Sequence, residues 1–329
     1  MSRRPVRVGT FLPPEEPSTP GGGDIPGLGK VPPTALTRFW ERASSLEGVE
    51  FLQDLDIRRS FIRGDRVYCG DICLNDLDLY VWYAEVDRHL GSYALEALKT
   101  LSADTPVLPD PFAFEVGLDK YQSHLALRRA GVRVADAVLF DHHNVAAVAP
   151  VMEQWGRAVL KPRWGYFGRG VLYVEDFPAL RDLVGYMQVT TGGSPDRAFL
   201  LERFYENDPD ESMGTTIIGG SLMYGYRKRP TRRAAIGEGG WKVFDREGLG
   251  GHVDLSQPSA AHVEQALRAQ KALGVEIIGF DMLLYEGEPV IVDENTFPGL
   301  YPELFAAVGR DLGDELFRTV ATTLQPIMT

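Results

Sequence analysis

The sequence predicts an α/β protein of two or three subdomains, and three observations carry that prediction. At 329 residues the chain exceeds what one core of common size holds. Strand-length apolar runs alternate with helix-length ones along most of it, the pattern of layered α/β units. Near the C-terminus, Ile277–Met282 and Pro289–Val292 form two further apolar runs joined by Glu286-Gly287-Glu288, which reads as a hairpin turn.

The elements follow in order. Val6–Phe11 reads as an opening strand. Residues 13–33 are rich in Pro and Gly, with Gly21-Gly22-Gly23 among them, and are too long for a routine connection. Gly27-Leu28-Gly29-Lys30 lacks the phosphate-loop pattern, because Val31 follows the lysine and Asp24 stands where the first glycine belongs. It reads as a structural or lid loop. Thr34–Leu46 is expected to be helical, with Thr34 as N-cap after Pro32-Pro33. Strands at Phe51–Leu55, Leu79–Val86 and Pro106–Leu108, with a helix at Ser92–Leu101, complete a small α/β domain ending near residue 116.

A helix over 119–131 closes on Gly131. Strands at Val132–Phe140 and Arg157–Lys161 flank a helix at Val145–Trp155. A strand at Val171–Val174, a helix at Phe177–Gln188 and a strand at Ala198–Glu202 then finish a second unit. The third alternates strands at Thr215–Ile218, Leu222–Arg227, Ile277–Leu284 and Val290–Val292 with a helix that Ser259 caps and that runs to Leu273.

Hydrophobic content of 44% and charged content of 24% are ordinary for a globular protein. A net charge of −12 argues against a nucleic-acid partner. No apolar run nears the ~20 residues that span a bilayer, and the basic start Met1–Pro5 precedes too short a run for a signal peptide. The spacing of Cys69 and Cys73 fits neither a redox pair nor a zinc set, so two reduced thiols in a cytoplasmic protein are expected. The six histidines are scattered and show no catalytic arrangement.

The chemistry concentrates on strand ends. Alternation puts Asp293 and Asn295 on one strand face and Glu294 on the other, and an antiparallel hairpin brings Asp281 to the first pair. Three oxygen ligands suit a hard cation such as Mg²⁺; two solvated carboxylates and a turn asparagine are the plain alternative. Lys161 ends a buried strand, where an ammonium needs a partner. After it, Arg163–Gly170 carries Gly165, Gly168 and Gly170 among Trp164, Tyr166 and Phe167. That composition suits either a turn or a loop whose backbone wraps an anion. Arg227-Lys228-Arg229 with Arg232-Arg233 is the one dense basic patch, a solvated face or a holder of phosphate or carboxylate oxygens.

Four segments in order, Leu118-Asp119-Lys120, Val159-Leu160-Lys161-Pro162, Leu200–Phe204 and Asn295-Thr296-Phe297-Pro298-Gly299, resemble the signatures of ATP-grasp ligases. D-alanine–D-alanine ligases, ribosomal-protein glutamate ligases and glutathione synthetase-like enzymes carry close versions, and the likeness covers roughly residues 117–310. The resemblance implies an α/β (α+β ATP-grasp) fold: a Rossmann-like domain over 1–116, a central lobe over 117–201 and a C-terminal lobe over 202–329. It implies that ATP is held by Lys120, Lys161, the loop glycines Gly165, Gly168 and Gly170, the hinge Glu202 with Arg203 and Phe204 at the adenine edge, and Glu211 on the ribose. The family's aspartate and arginine on the next strand are Ser212 and Gly214 here, a departure at the ribose site.

Asp281, Asp293 and Asn295 would hold one or two Mg²⁺ ions, with Mn²⁺ as a substitute. Arg227 and Lys242 would steady charge during the reaction; Lys242 stands where the glutamate-ligase branch has an arginine, and the asparagine near it is missing. The implied activity is ATP-dependent amide formation between a carboxylate and an amine through an acyl phosphate, on amino-acid or peptide-like substrates. Phosphorylation or cyclisation of one substrate is the first alternative, and nucleotide binding without turnover the second. A dimer or tetramer is compatible with the resemblance, and no membrane partner is implied.

Overall fold

The computed structural model describes residues 4–15, 29–87, 91–165, 170–190, 198–206, 211–230 and 251–329. Gly168, Lys242 and most of the 13–33 loop lie outside them.

The first unit runs β1 (Val6–Phe11), α1 (Pro33–Ser44), β2 (Val49–Leu52), β3 (Phe61–Arg63), β4 (Arg66–Cys69), β5 (Ile72–Cys73), β6 (Leu79–Trp82), α2 (Tyr93–Leu101) and β7 (Val107–Leu108). A parallel sheet takes the order β2-β1-β6-β7, and β3-β4-β5 form a small antiparallel sheet beside it. All four residues of β6, Leu-Tyr-Val-Trp, are buried, as expected of a parallel strand covered on both faces. Helix α1 starts one residue before the expected cap. Pro32 holds the N-cap position and Pro33, whose φ is already helical, is the first helical residue, so Thr34 caps nothing.

The second unit follows as α3 (Pro111–Leu118), α4 (Lys120–Arg129), β8 (Ala137–Asp141), α5 (Ala149–Trp155), β9 (Ala158–Pro162), β10 (Leu172–Val174), α6 (Phe177–Thr190) and β11 (Ala198–Arg203). Its antiparallel sheet, β10-β9-β11-β8, has a core of its own that includes Phe140, Met152, Leu160, Leu180 and Leu201. The boundary expected after residue 201 falls inside β11, so Glu202 and Arg203 belong to this sheet.

The third unit comprises β12 (Met213–Ile218), β13 (Ser221–Pro230), β14 (Gly251–Ser256), α7 (Ala260–Leu273), β15 (Ile277–Tyr285), β16 (Glu288–Asn295), α8 (Pro302–Ala307) and α9 (Leu312–Met328). Its sheet, β14-β13-β12-β15-β16, is antiparallel throughout. The β15–β16 turn is two residues, Glu286 and Gly287, both with positive φ (55° and 79°), the conformation that matches the twist of the paired strands.

One hydrophobic core runs without a break from the first unit into the third. Helix α9 returns to α1, and Gly313 permits the contact, since a Cβ there would lie 2.3 Å from the Ala35 carbonyl oxygen. Asp314 on α9 pairs with Arg38 (3.0 Å) and Arg42 (2.7 Å) on α1. Phe297 packs edge-on against Tyr83 of the first unit and Phe114 of α3, which fixes the chain just beyond β16 where the three units meet. No helix among the described residues is long and apolar enough to cross a membrane.

At this junction Glu276 accepts a hydrogen bond from the Asp110 amide (3.3 Å), and burial pushes its carboxyl up to about 7. The fold therefore favours protonated Glu276. That contribution is present below the ordinary carboxylate pKa and is lost as pH rises through about 7. Glu276→Gln should thus melt several degrees above the parent at about pH 8 and close to it at about pH 4.5, at roughly 2 °C or more per kcal/mol. Scanning calorimetry at the two pH values checks this, and an equal difference at both would exclude it.

Candidate active site

The site begins with a helix cap. Asp119 precedes α4, is 3% exposed, and accepts from the amides of Tyr121 (3.0 Å) and Gln122 (3.3 Å). The same carboxylate takes Arg163 at 2.9 Å through Nε and 2.6 Å through Nη2. The Lys120 amide donates to the Arg163 carbonyl (3.1 Å). The first turn of α4 is thereby fastened to the end of β9, and two lysines from different elements are brought to one place.

Lys120 reaches from α4 to Asp293 on β16. Lys161, buried on β9, lies 2.5 Å from Glu202 on β11 and donates to the Val292 carbonyl of β16 (2.8 Å). Lys228 on β13 pairs with Asp281 on β15. Three ammonium groups and three carboxylates thus alternate where the second and third units meet. Burial pulls the Lys120 and Lys228 ammonium groups down, but Asp293 and Asp281 respectively outweigh it and hold them above their ordinary range. For Asp293, burial pushes up and Lys120 with Lys161 pulls further down, so it stays ionised.

Asp281 and Asp293 sit directly opposite each other in the β15–β16 pair, and Asn295 lies opposite Gly279, so the three share a face. An irregularity after Asp281 shifts the register there. Gly279 leaves room beside Asn295, since a Cβ would meet Pro298 at 3.0 Å. Two carboxylates and an amide oxygen fit a hard cation by donor type and charge. Glu294 faces the other way and is bonded by Ser123 Oγ on α4; burial pushes it up to about 7.

Arg227 is not with them. It is paired with Asp254 in the β13–β14 ladder, and alternation puts its side chain on the opposite face from Tyr226 and Lys228. Tyr226 and Asp281 both lie opposite Gly214, so the Tyr226–Lys228 face is the site face. On the face of the cluster β13 thus presents Lys228 and not Arg227. Sequence alone could not choose, because Arg-Lys-Arg offers a cation to either face whatever the register.

At the hinge, the amides of Arg203 and Phe204 donate to the Asp136 (2.8 Å) and Arg157 (3.1 Å) carbonyls. The Arg203 guanidinium lies over Tyr205 and Tyr285 (5.4 and 5.3 Å) and donates to the Tyr285 hydroxyl (3.1 Å), so it ties the second unit to β15. Glu211 is exposed ahead of β12, and no contact links it to the cluster among the described residues. Gly170 has φ 71° and packs on Pro162, where a Cβ would lie at 3.3 Å; Gly165 is half-buried just after Trp164.

Two residues given no role from sequence belong here. Asp119 is the cap and clamp already described; an aspartate directly before a helix was its signal. His124 lies one turn beyond Lys120, is 9% exposed, and has a buried Nε2 without a partner among the described residues; burial lowers its pKa.

Against known proteins, no family model matches. Over 243 residues the chain is 24% identical to a probable alpha-L-glutamate ligase of Stenotrophomonas maltophilia, covering 74% of this chain and 77% of that one. A D-alanine–D-alanine ligase of Bacillus anthracis, solved with ATP, superposes with a TM-score of 0.62 at 16% identity over 98% of both chains. A RimK domain ATP-grasp protein of Sphaerobacter thermophilus gives 0.63 at 17% identity, over 95% of this chain and 99% of that one. The chain has the ATP-grasp fold. The lysine–carboxylate cluster lies where the second and third units meet.

If Asp119 fastens the junction of the second and third units, Asp119→Ala should lower stability by about 1–3 kcal/mol and weaken ATP binding. Asp119→Asn keeps the cap but not the charge pair, so it should recover most stability and less of the affinity. Calorimetric titration beside thermal melts separates the two; full ATP affinity in Asp119→Ala would rule out the clamp.

Proposed function

We infer that this chain is an ATP-dependent ligase that joins a carboxylate to an amine. The observation that carries this reading is the alternation of Lys120, Lys161 and Lys228 with Asp293, Glu202 and Asp281 at the lobe junction. Phosphoryl transfer asks a protein mainly for positioning and charge neutralisation, and this cluster offers both signs of charge on rigid strands. The named ligase relative and the ligase among the solved neighbours agree with it.

Asp281, Asp293 and Asn295 would hold Mg²⁺. When bound, the ion neutralises phosphate charge and polarises the phosphoryl group. Lys120 and Lys161, freed from their carboxylates, would hold phosphate oxygens of ATP, and Lys228 the oxygens that gain charge during transfer. Arg163, tied to Asp119, fixes the base of the 163–170 loop, whose role over the phosphates is part of the same proposal. The substrate carboxylate oxygen attacks the γ-phosphorus and ADP leaves. The amine then attacks the acyl carbon, the C–O bond to phosphate breaks, and phosphate departs. An amino acid, with glutamate first to be tried, is the substrate class that the relatives' names suggest. Retention of Asp281, Asp293 and Asn295 together weighs against a nucleotide-binding protein without turnover.

Screening pairs of amino acids for ADP formation, with mass spectrometry of products, tests the reading. At least one pair should give a condensation product with stoichiometric ADP; ATP turnover yielding only a phosphorylated or cyclised single substrate would replace ligation by the first alternative. With an active pair in hand, Asp293→Asn should lose at least about 100-fold in turnover while remaining folded by circular dichroism. Glu294→Gln, outside the ligand face, should lose much less. Lys228→Ala should cost at least about 100-fold and Arg227→Ala less than about threefold. The reverse order would place the site on the other face of β13.

A further inference from the structure

The end of β8 carries a donor set that the lysine cluster does not use. Asp141, the last residue of β8, is paired with Ala198 of β11, and a 3₁₀ segment, His142–Val148, begins directly after it. The Asp141 carboxylate caps that segment by accepting from the His143 amide (2.8 Å). Both imidazoles meet the same carboxylate. His143 Nδ1 lies 3.0 Å and His142 Nδ1 3.6 Å from Asp141 Oδ1, and the two ring centroids are 3.7 Å apart. One ligand atom from each of the three residues falls within 4.8 Å of the other two. Among the described residues, no other three Asp, Glu, His or Cys side chains converge in this way.

Successive residues of a 3₁₀ helix leave its axis about 120° apart, so neighbouring histidines there do not meet unless something gathers them. The gathering group is Asp141, and the result is two nitrogens and one oxygen facing one another. Ligand atoms around a four-coordinate zinc lie roughly 3.4 Å from one another. Spacings of 3.0 and 3.6 Å, with none above 4.8 Å, bracket that value. The tautomer does not matter. Coordination at Nδ1 leaves the ring proton on Nε2, so a neutral imidazole becomes a ligand without losing a proton to solvent. Donor type selects the metal: two imidazoles with one carboxylate suit zinc, nickel or copper, whereas Mg²⁺ keeps to oxygen. His142 is half-buried and anchors the set, while Asp141 and His143 are exposed and leave a way in for the ion and for water.

We propose that Asp141, His142 and His143 form a site for a divalent transition-metal ion of the zinc class, with a remaining coordination position open to water. The site stands at the opposite end of β8 from Ala137, which pairs with Glu202 of the lysine cluster. β8 is the edge strand of the second sheet, and α6 packs on the 3₁₀ segment, so the ion ties that edge to the helical layer. The inference does not depend on the ligase reading. It needs only the three side chains and their spacing.

The test is calorimetric titration of the untagged full chain with zinc chloride, with Mg²⁺ saturating so that sites built from oxygen are already filled. His143→Ala removes an exposed ring, and Asp141→Asn keeps the cap while removing the charge. Both variants should bind one Zn²⁺ per chain fewer than the parent, or bind it at least about tenfold more weakly, since losing even a partner of a metal ligand commonly costs that much. Zinc should also raise the melting temperature of the parent by more than that of either variant. X-ray absorption of the zinc-loaded parent should show two imidazole ligands. No saturable zinc binding, an isotherm unchanged in either variant, or a zinc shell without imidazole would overturn the proposal.

Discussion

A lysine ammonium taken out of water must meet an anion, and this requirement organises the centre of the molecule. Lys120, Lys161 and Lys228 come from α4, β9 and β13, and each meets a carboxylate from a different strand. Removing one member leaves a charge with no counterpart in a largely dry place. The arrangement therefore resists drift, yet each pair can be exchanged: phosphate oxygens can replace the carboxylates on the lysines while a hard cation replaces the lysines on the carboxylates. Burial raises the cost of an uncompensated charge and so sharpens that exchange.

The packing around the cluster divides unevenly. The first and third units share one core, into which α3 and α4 of the second unit also pack through Phe114, Leu118 and Leu127, and α9 on α1 stitches it. The sheet of the second unit has a separate core and meets the third unit through polar and edge contacts. These include Arg203 with Tyr285, the Val134–Ile291 bridge, and the lysine pairs themselves. The contacts proposed to carry the chemistry are thus also contacts between the second and third units.

Much of this was legible in the sequence where local rules and burial agree. Ser259 caps α7, Glu286-Gly287 turns the hairpin, and strand alternation put Asp281, Asp293 and Asn295 on one face and Glu294 on the other. Lys161 and Glu202 could be singled out because charged residues end apolar strands there, but their pairing is a cross-strand contact. What stayed hidden depends on long-range register. Nothing local says that Tyr226 lies in the row of Asp281, and with that goes the choice of Lys228 over Arg227. Helix α9 carries a clear N-cap in Asp311, but its partner α1 is some 270 residues earlier, and only the fold joins them.

The central claim is that this cluster activates a carboxylate by phosphorylation. It is tested most directly by supplying the carboxylate substrate labelled with ¹⁸O in both oxygens and analysing the released phosphate by mass spectrometry. The account predicts one labelled oxygen in each phosphate, because the attacking carboxylate oxygen leaves with phosphorus when the amine takes its place. Unlabelled phosphate formed alongside the amide product would contradict it.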